Sequence, residues 1–119
     1  PGKTVGILGT TGTLSANLYQ KALDQAGVPF VTPAAKEQEA LMRVIYQGVK
    51  AGKGPDDYRA DFLTVLEGML ARGAEVFLLG CTELPLAAQA LHITLPTVDP
   101  TAELAKAAIR FCGYGVRGG

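Results

Sequence analysis

The sequence holds one histidine, His92, and two cysteines, Cys81 and Cys112. One imidazole and two separated thiols do not make a zinc ligand set, and the thiols form neither a CxxC pair nor a disulfide framework. No metal is expected, and a reducing cytoplasm is the expected compartment. Net charge is missing too: 11 Lys and Arg against 11 Asp and Glu leave a formal charge of +0. That removes the electrostatic case for nucleic acid or an anionic membrane surface as a partner. No apolar run approaches the roughly 20 residues of a membrane span, and no signal-peptide pattern opens the sequence. Internal repeats and low-complexity segments are also lacking.

What is present is a 119-residue chain that is 48% hydrophobic, enough to bury a real core and to argue against disorder. It is read as one domain, 1–119, with a glycine-rich flexible tail at 113–119. Its most informative stretch is Glu75–Leu86, EVFLLGCTELPL. Val76–Leu79 is a continuous apolar run bounded by Gly73 and Gly80, the pattern of a parallel strand covered on both faces. Gly80 allows a sharp turn, and Thr82 and Glu83 suit the start of a helix. Cys81 is thereby placed at the carboxyl edge of a sheet, where open α/β sheets bind ligands. A helix N-terminus there would favour a thiolate. The other reading of Cys81, a small buried packing residue, stays open at this point.

The remaining elements alternate. Lys3–Gly9 reads as a first strand ending in the loop Thr10-Thr11-Gly12-Thr13, with Ser15 as cap of the next helix. Leu18, Ala22, Leu23 and Ala26 recur at helical spacing and form its inward face. Val28–Thr32 is a short second strand closed by Pro33. A helix from about Glu37 to Lys50 carries the stripe Leu41, Val44, Ile45 and Val49, and Gly52, Gly54 and Pro55 break it. Asp56 or Asp57 caps a helix reaching Arg72, with Phe62, Leu63, Leu66 and Leu70 inward. After the cysteine strand, Leu86–Leu91 is helical and His92–Thr97 includes a brief strand. Asp99-Pro100-Thr101 caps a last helix ending near Cys112.

Strands separated by amphipathic helices predict an α/β fold: a small doubly wound parallel sheet of about four strands, order 2-1-3-4, with helices on both faces. In that order the first and third strands are neighbours. The Thr-Gly-Thr loop and the Cys81 loop then meet in one crevice.

The loop Gly9–Thr13 has the amides and hydroxyls to cradle an anion. It is neither a Walker loop nor a full GxGxxG, and a plain strand-to-helix turn is its alternative reading. Free thiols titrate near ~8.5, and a helix N-terminus lowers that to roughly 3.5–7.5, so Cys81 is the candidate for proton transfer or nucleophilic attack. His92 falls beyond the next helix and is read as a surface residue, and Cys112 as packing. Lys50 ends a helix, where its charge suits the dipole. Glu83 either orients an amine or caps its helix. Asp56, Asp57, Glu37 and Glu39 read as caps and solvated faces.

Taken together and in this order, Val5–Thr13 (VGILGTTGT), Pro33, Gln38, Met42–Gly52 (MRVIYQGVKAG), Gly73–Leu86 (GAEVFLLGCTELPL) and Leu95–Pro100 (LPTVDP) resemble the carboxyl-terminal half of the aspartate/glutamate racemase family. The form Gly80-Cys81-Thr82-Glu83 is similar to that of aspartate racemases, since glutamate racemases typically carry histidine after the Cys-Thr pair. Hydantoin racemases and other members of the superfamily remain open.

The resemblance implies a cofactor-independent isomerase in which two thiols face opposite sides of the substrate's α-carbon, between two pseudo-symmetric α/β domains. Cys81 then resembles the second acid/base thiol, and Lys50 matches a lysine at the cleft. Thr82, with Thr10, Thr11, Gly12 and Thr13, resembles the groups that bind the substrate carboxylates, with Glu83 beside them. The implied ligand is a small acidic amino acid. The amino-terminal racemase domain, with its own cysteine, has no counterpart here, and Pro1-Gly2-Lys3 resembles the linker leading out of it. The chain is therefore expected to be an excised or truncated half, inactive or weakly active alone. A homodimer supplying two Cys81 thiols across a two-fold axis is an alternative. A non-catalytic carboxylate-binding module is another. The last helix, with Ala102, Ala105, Ala108 and Ile109, is expected to expose an apolar stripe without its partner domain.

Overall fold

The computed structural model describes residues 3–98. The expected final helix, its apolar stripe, Cys112 and the glycine-rich tail lie outside the described residues. Four strands are present: β1 (Val5–Leu8), β2 (Phe30–Val31), β3 (Val76–Leu79) and β4 (Thr97–Val98). They run parallel in the order β2-β1-β3-β4. The central pair is in full register, from Val5 opposite Val76 to Leu8 opposite Leu79. The helices are α1 (Thr11–Ala16), α2 (Leu18–Gln25), α3 (Ala35–Met42), α4 (Arg59–Ala71) and α5 (Glu83–Ala90).

Side chains along a strand alternate between faces, and the core divides accordingly. Val5, Ile7, Val76 and Leu78 point to one face and pack with Leu14, Tyr19, Leu23 and Val28, beneath α1 and α2. Leu8, Phe77 and Leu79 point to the other face. They pack with Leu41, Ile45, Phe62, Val65, Met69 and Leu84 from α3, α4, α5 and the segment after α3. Both sheet faces are thus covered, as continuous apolar strands require. Gly6 lets the Phe77 ring lie across its neighbouring strand: a Cβ at Gly6 would stand 3.0 Å from that ring.

Several local expectations are corrected. Thr10, not Ser15, caps the first helix. Thr10 is extended, and its Oγ1 accepts the Thr13 amide at 3.1 Å. The expected loop is therefore mostly the first turn of α1, with Ser15 inside it. Asn17 takes a left-handed conformation, φ 61°, which ends α1 and resets the helical phase. The reset turns Leu18 outward, 69% exposed, while Leu23 is buried.

The second strand shrinks to Phe30–Val31 because the Val28 amide is committed to the Leu23 carbonyl at the end of α2. The long helix also begins earlier, at Ala35, because Glu37 reaches back to accept the Ala34 amide. From Arg43 to Val49 it widens to π-helix. Val44, Ile45 and Gly48 are weak α-formers, and Gly48 admits the Tyr58 ring so closely that a Cβ would stand 2.8 Å from it.

Neither Asp56 nor Asp57 caps α4. Both lie in a single 3₁₀ turn, Pro55–Asp57, and Tyr58 precedes the helix. The buried face of α4 is Phe62, Val65, Leu66 and Met69. Leu63 and Leu70, expected inward, fall outside that i, i+3, i+4, i+7 stripe and are exposed. The helix after the cysteine starts at Glu83, where Thr82 and Glu83 suit a helix start, and so takes in residues before the Leu86–Leu91 stretch; Leu86 is exposed. Glu37 is not simply solvated. It pairs with Arg72 through the two terminal guanidinium nitrogens, at 2.7 and 2.6 Å, filling a notch above Gly68.

Candidate functional site

The carboxyl ends of β1 and β3 are tied directly. The Gly80 amide donates to the Leu8 carbonyl at 2.6 Å. A Cβ on Gly80 would stand 2.7 Å from that oxygen and 3.5 Å from the Thr13 methyl. A Cβ on Gly9 would stand 3.1 Å from the same methyl. Thr13 therefore fits into the space left by two glycines, one on each loop. This is how the threonine turn and the residue before Cys81 come side by side.

Cys81 is a free, half-buried thiol that packs on the edge of the larger core cluster. Its Sγ donates to Glu83 Oε1 at 2.8 Å, and the Thr82 hydroxyl donates to Glu83 Oε2 at 3.2 Å. Glu83 lies in the first turn of α5, so its carboxylate folds back over the two residues preceding the helix. The exposed Lys50 follows the π segment, with Nζ above the Tyr46 ring at 4.6 Å from its centroid. The Lys50 charge reaches Glu83 and helps hold that carboxylate ionised.

The electrostatics differ from the expectation of a thiolate. Burial pushes the Cys81 thiol up, and the hydrogen bond to the Glu83 carboxylate pushes it further. The amides of Glu83 and Leu84 act in the opposite direction but do not prevail. The helix end alone favours a thiolate. A carboxylate in direct contact reverses the sign. Glu83, in turn, lies below the usual carboxylate range, first because it accepts from Cys81. The resting pair is a thiol donating to a carboxylate.

Thr10 and Thr13 share a hydroxyl contact at 3.0 Å. Thr11 is exposed and, unlike Cys81, lines a groove of about 490 Å³ along the outer side of α3 and the π segment, with Gln38, Met42, Arg43, Tyr46 and Gln47. Gln38 donates to the Gly9 carbonyl at 3.0 Å and approaches the Thr11 hydroxyl at 3.5 Å. Sequence reasoning assigned no role to Gln38 or Tyr46. The signal for Gln38 was a polar residue in phase with the buried stripe Leu41 and Ile45.

Gly12 and Thr82 are exposed, and His92 is exposed as expected. Among the described residues, no three His, Cys, Asp or Glu side chains converge as a metal-binding group. No helix among them is long and apolar enough to cross a membrane.

Comparison with known proteins gives this crevice a setting. Residues 2–108 match the family model described as Asp/Glu/Hydantoin racemase. The chain is 36% identical over 109 residues to an uncharacterised protein in the pnlA 3′ region of Pectobacterium carotovorum subsp. carotovorum, covering 90% of this chain and 71% of that one. Among solved structures it is similar to the Picrophilus torridus aspartate racemase, with TM-score 0.65 and 26% identity, covering 98% of this chain and 48% of that one. It is also similar to an aspartate racemase homologue of Pyrococcus horikoshii OT3, with TM-score 0.69 and 28% identity over 94% of this chain and 49% of that one. The chain spans about half the length of these two structures. A family match over nearly the whole sequence and the same parallel α/β fold lead to one conclusion: the chain belongs to the Asp/Glu/Hydantoin racemase family.

Proposed function

We propose that this chain forms one wall of the active site of an amino-acid racemase acting on a small acidic amino acid without a cofactor. Cys81 is one of two proton-transfer groups, and the other comes from a second α/β unit outside this chain. The observation that carries the reading is the Cys81–Glu83 hydrogen bond at 2.8 Å, held at the carboxyl edge of β3 beside the threonine turn.

In this reading the substrate's α-carboxylate lies against the Thr10–Thr13 turn and Thr82, with the α-carbon facing Cys81. Lys50 supplies positive charge to the carboxylates. A base on the opposite face removes the α-proton, and the C–H electron pair stays on the α-carbon, delocalised into the α-carboxylate. Preorganised amides and the Lys50 charge stabilise that carbanion. Cys81, resting as a thiol, gives its hydrogen to the α-carbon and leaves with the S–H electron pair as a thiolate. The amides of Glu83 and Leu84, which act to lower the thiol's pKa, stabilise the thiolate. Glu83 keeps the thiol protonated and aimed until that transfer. In the reverse direction the thiolate takes the α-proton.

Among the described residues Cys81 is the single thiol at this place, and the chain alone is read as exchanging an α-proton without efficient inversion. Alkylation protection tests the substrate class. With Cys112→Ser in place so that Cys81 alone reports, aspartate or glutamate slows iodoacetamide labelling of Cys81, while alanine and a hydantoin do not. Equal protection by all four, or by none, rejects the acidic amino-acid reading.

A further inference from the structure

Gln38 is a half-buried side-chain amide on α3, and it spans 29 residues of sequence to reach the end of β1. We infer that Gln38 is the positioning residue that aims the Gly9–Thr11 backbone at the substrate carboxylate. The inference rests on the reading of the threonine turn given above.

The bond from Nε2 to the Gly9 carbonyl, at 3.0 Å, fixes the amide's orientation, because a carbonyl accepts only from the nitrogen end. It also fixes the peptide that follows. The Gly9–Thr10 bond is trans, so its C=O and N–H point in opposite directions. Holding the Gly9 oxygen toward α3 therefore turns the Thr10 amide hydrogen away from α3 and fixes the direction in which it can donate. The second Nε2 hydrogen faces the Thr11 oxygen at 3.5 Å, which favours pointing the Thr11 hydroxyl hydrogen elsewhere, free to meet an anion.

The far end of the same amide is spent on nothing: Gln38 Oε1 is buried and has no hydrogen-bond partner among the described residues. An orphaned buried acceptor is costly, and an apolar side chain of the same length avoids the cost. Gln38 thus serves its nitrogen end. A residue filling space alone has no need of an amide there.

The test uses the full chain and succinate as the probe, a dicarboxylate of the substrate's size. Amide NMR shifts of Thr10 to Thr13 report its dissociation constant. Gln38→Met is nearly isosteric and removes the donor; Gln38→Glu keeps the shape and replaces the donor with an acceptor. Each is expected to weaken succinate binding about ten-fold or more, the scale of losing an oriented contact to a charged ligand. The Cys81-dependent exchange rate at saturating aspartate is expected to stay within about two-fold in Gln38→Met, because the chemistry is untouched once substrate is seated.

Unchanged succinate binding in Gln38→Met overturns the inference while leaving the racemase reading intact. So does an equal fall in affinity and saturated exchange, or unfolding of both variants where the wild type is intact, since each marks a merely structural role. If the wild-type amides do not respond to succinate, the carboxylate reading of the turn fails first and the role of Gln38 falls with it.

Discussion

The Cys81 thiol and the Glu83 carboxylate are hydrogen-bonded at 2.8 Å, two residues apart across the start of α5. This contact sets the protonation state of the crevice. Burial of the sulfur and the adjacent negative charge both favour the thiol, and the same bond favours the Glu83 carboxylate. The pair stores a proton on sulfur.

Replacing Glu83 by glutamine removes the charge but keeps the shape. The Cys81 thiol is then expected to ionise at lower pH than in the wild type. The rate of iodoacetamide labelling against pH, read in a Cys112→Ser background, checks this. The sign for stability follows. A thiol whose folded pKa is raised contributes fully below its ordinary unfolded value, and that contribution is lost as pH rises through the folded pKa. Glu83→Gln should therefore lose less stability than the wild type on the alkaline side.

The Glu37–Arg72 pair gives the opposite dependence. Its bidentate bond to Arg72 holds Glu37 below the usual carboxylate range. Its stabilisation is present above the ordinary carboxylate pKa and disappears as pH falls through the lowered folded value. The Glu37 side chain keeps 13% of its surface exposed against 38% for Arg72, so the pair is more than a surface contact but still partly screened. Glu37→Gln should cost about 1–2 kcal/mol at neutral pH and flatten the acid limb of thermal melts.

Gly68 tests the same contact by steric means. Alanine in a helix normally gains about 1 kcal/mol over glycine. Here the added Cβ falls on the Glu37 carboxylate. Gly68→Ala is therefore expected to destabilise the chain by about 1 kcal/mol, despite its better helix propensity. In a Glu37→Ala background the same change should become stabilising. Urea denaturation of the four proteins measures the sign change.

Gly80 has no such flexible neighbour. Its Cβ would meet the Leu8 carbonyl oxygen at 2.7 Å and the Tyr19 ring at 3.3 Å. Backbone cannot yield as a carboxylate can, so Gly80→Ala should cost about 1–3 kcal/mol in urea denaturation. It should also weaken succinate binding, since it spreads the two loops.

How much of this was legible depends on the residue. Val76–Leu79, bounded by glycine and continuously apolar, announced a buried parallel strand, and Cys81 at its carboxyl edge followed from that alone. The alternation of elements likewise revealed the parallel α/β sheet. Helical phase was lost at Asn17, where Leu18 turns outward, and in α4, where Leu63 and Leu70 are exposed, whereas Leu41, Val44 and Ile45 are buried as expected with Val49 packed against them. The left-handed residue shifts which side chains face inward and is not encoded by apolar spacing, and the π segment is equally unencoded although it leaves the expected stripe inward. The state of Cys81 was hidden for a different reason. A spacing of two residues does not say whether Glu83 turns toward the thiol or away. The turn toward it reverses the effect of the helix end. Gln38 stood among the residues of the resemblance without a role, because its partner, the Gly9 carbonyl, is backbone, which carries no sequence signature.

The central claim is that the Cys81 sulfur moves a proton to and from the α-carbon of an acidic amino acid. Its most direct test is α-hydrogen exchange of L- and D-aspartate in heavy water, followed by NMR, with the wild-type chain and with Cys81→Ser. The expected result is exchange of one enantiomer with little inversion by the wild type, and none by a folded Cys81→Ser. Exchange that persists at the wild-type rate in Cys81→Ser contradicts the claim.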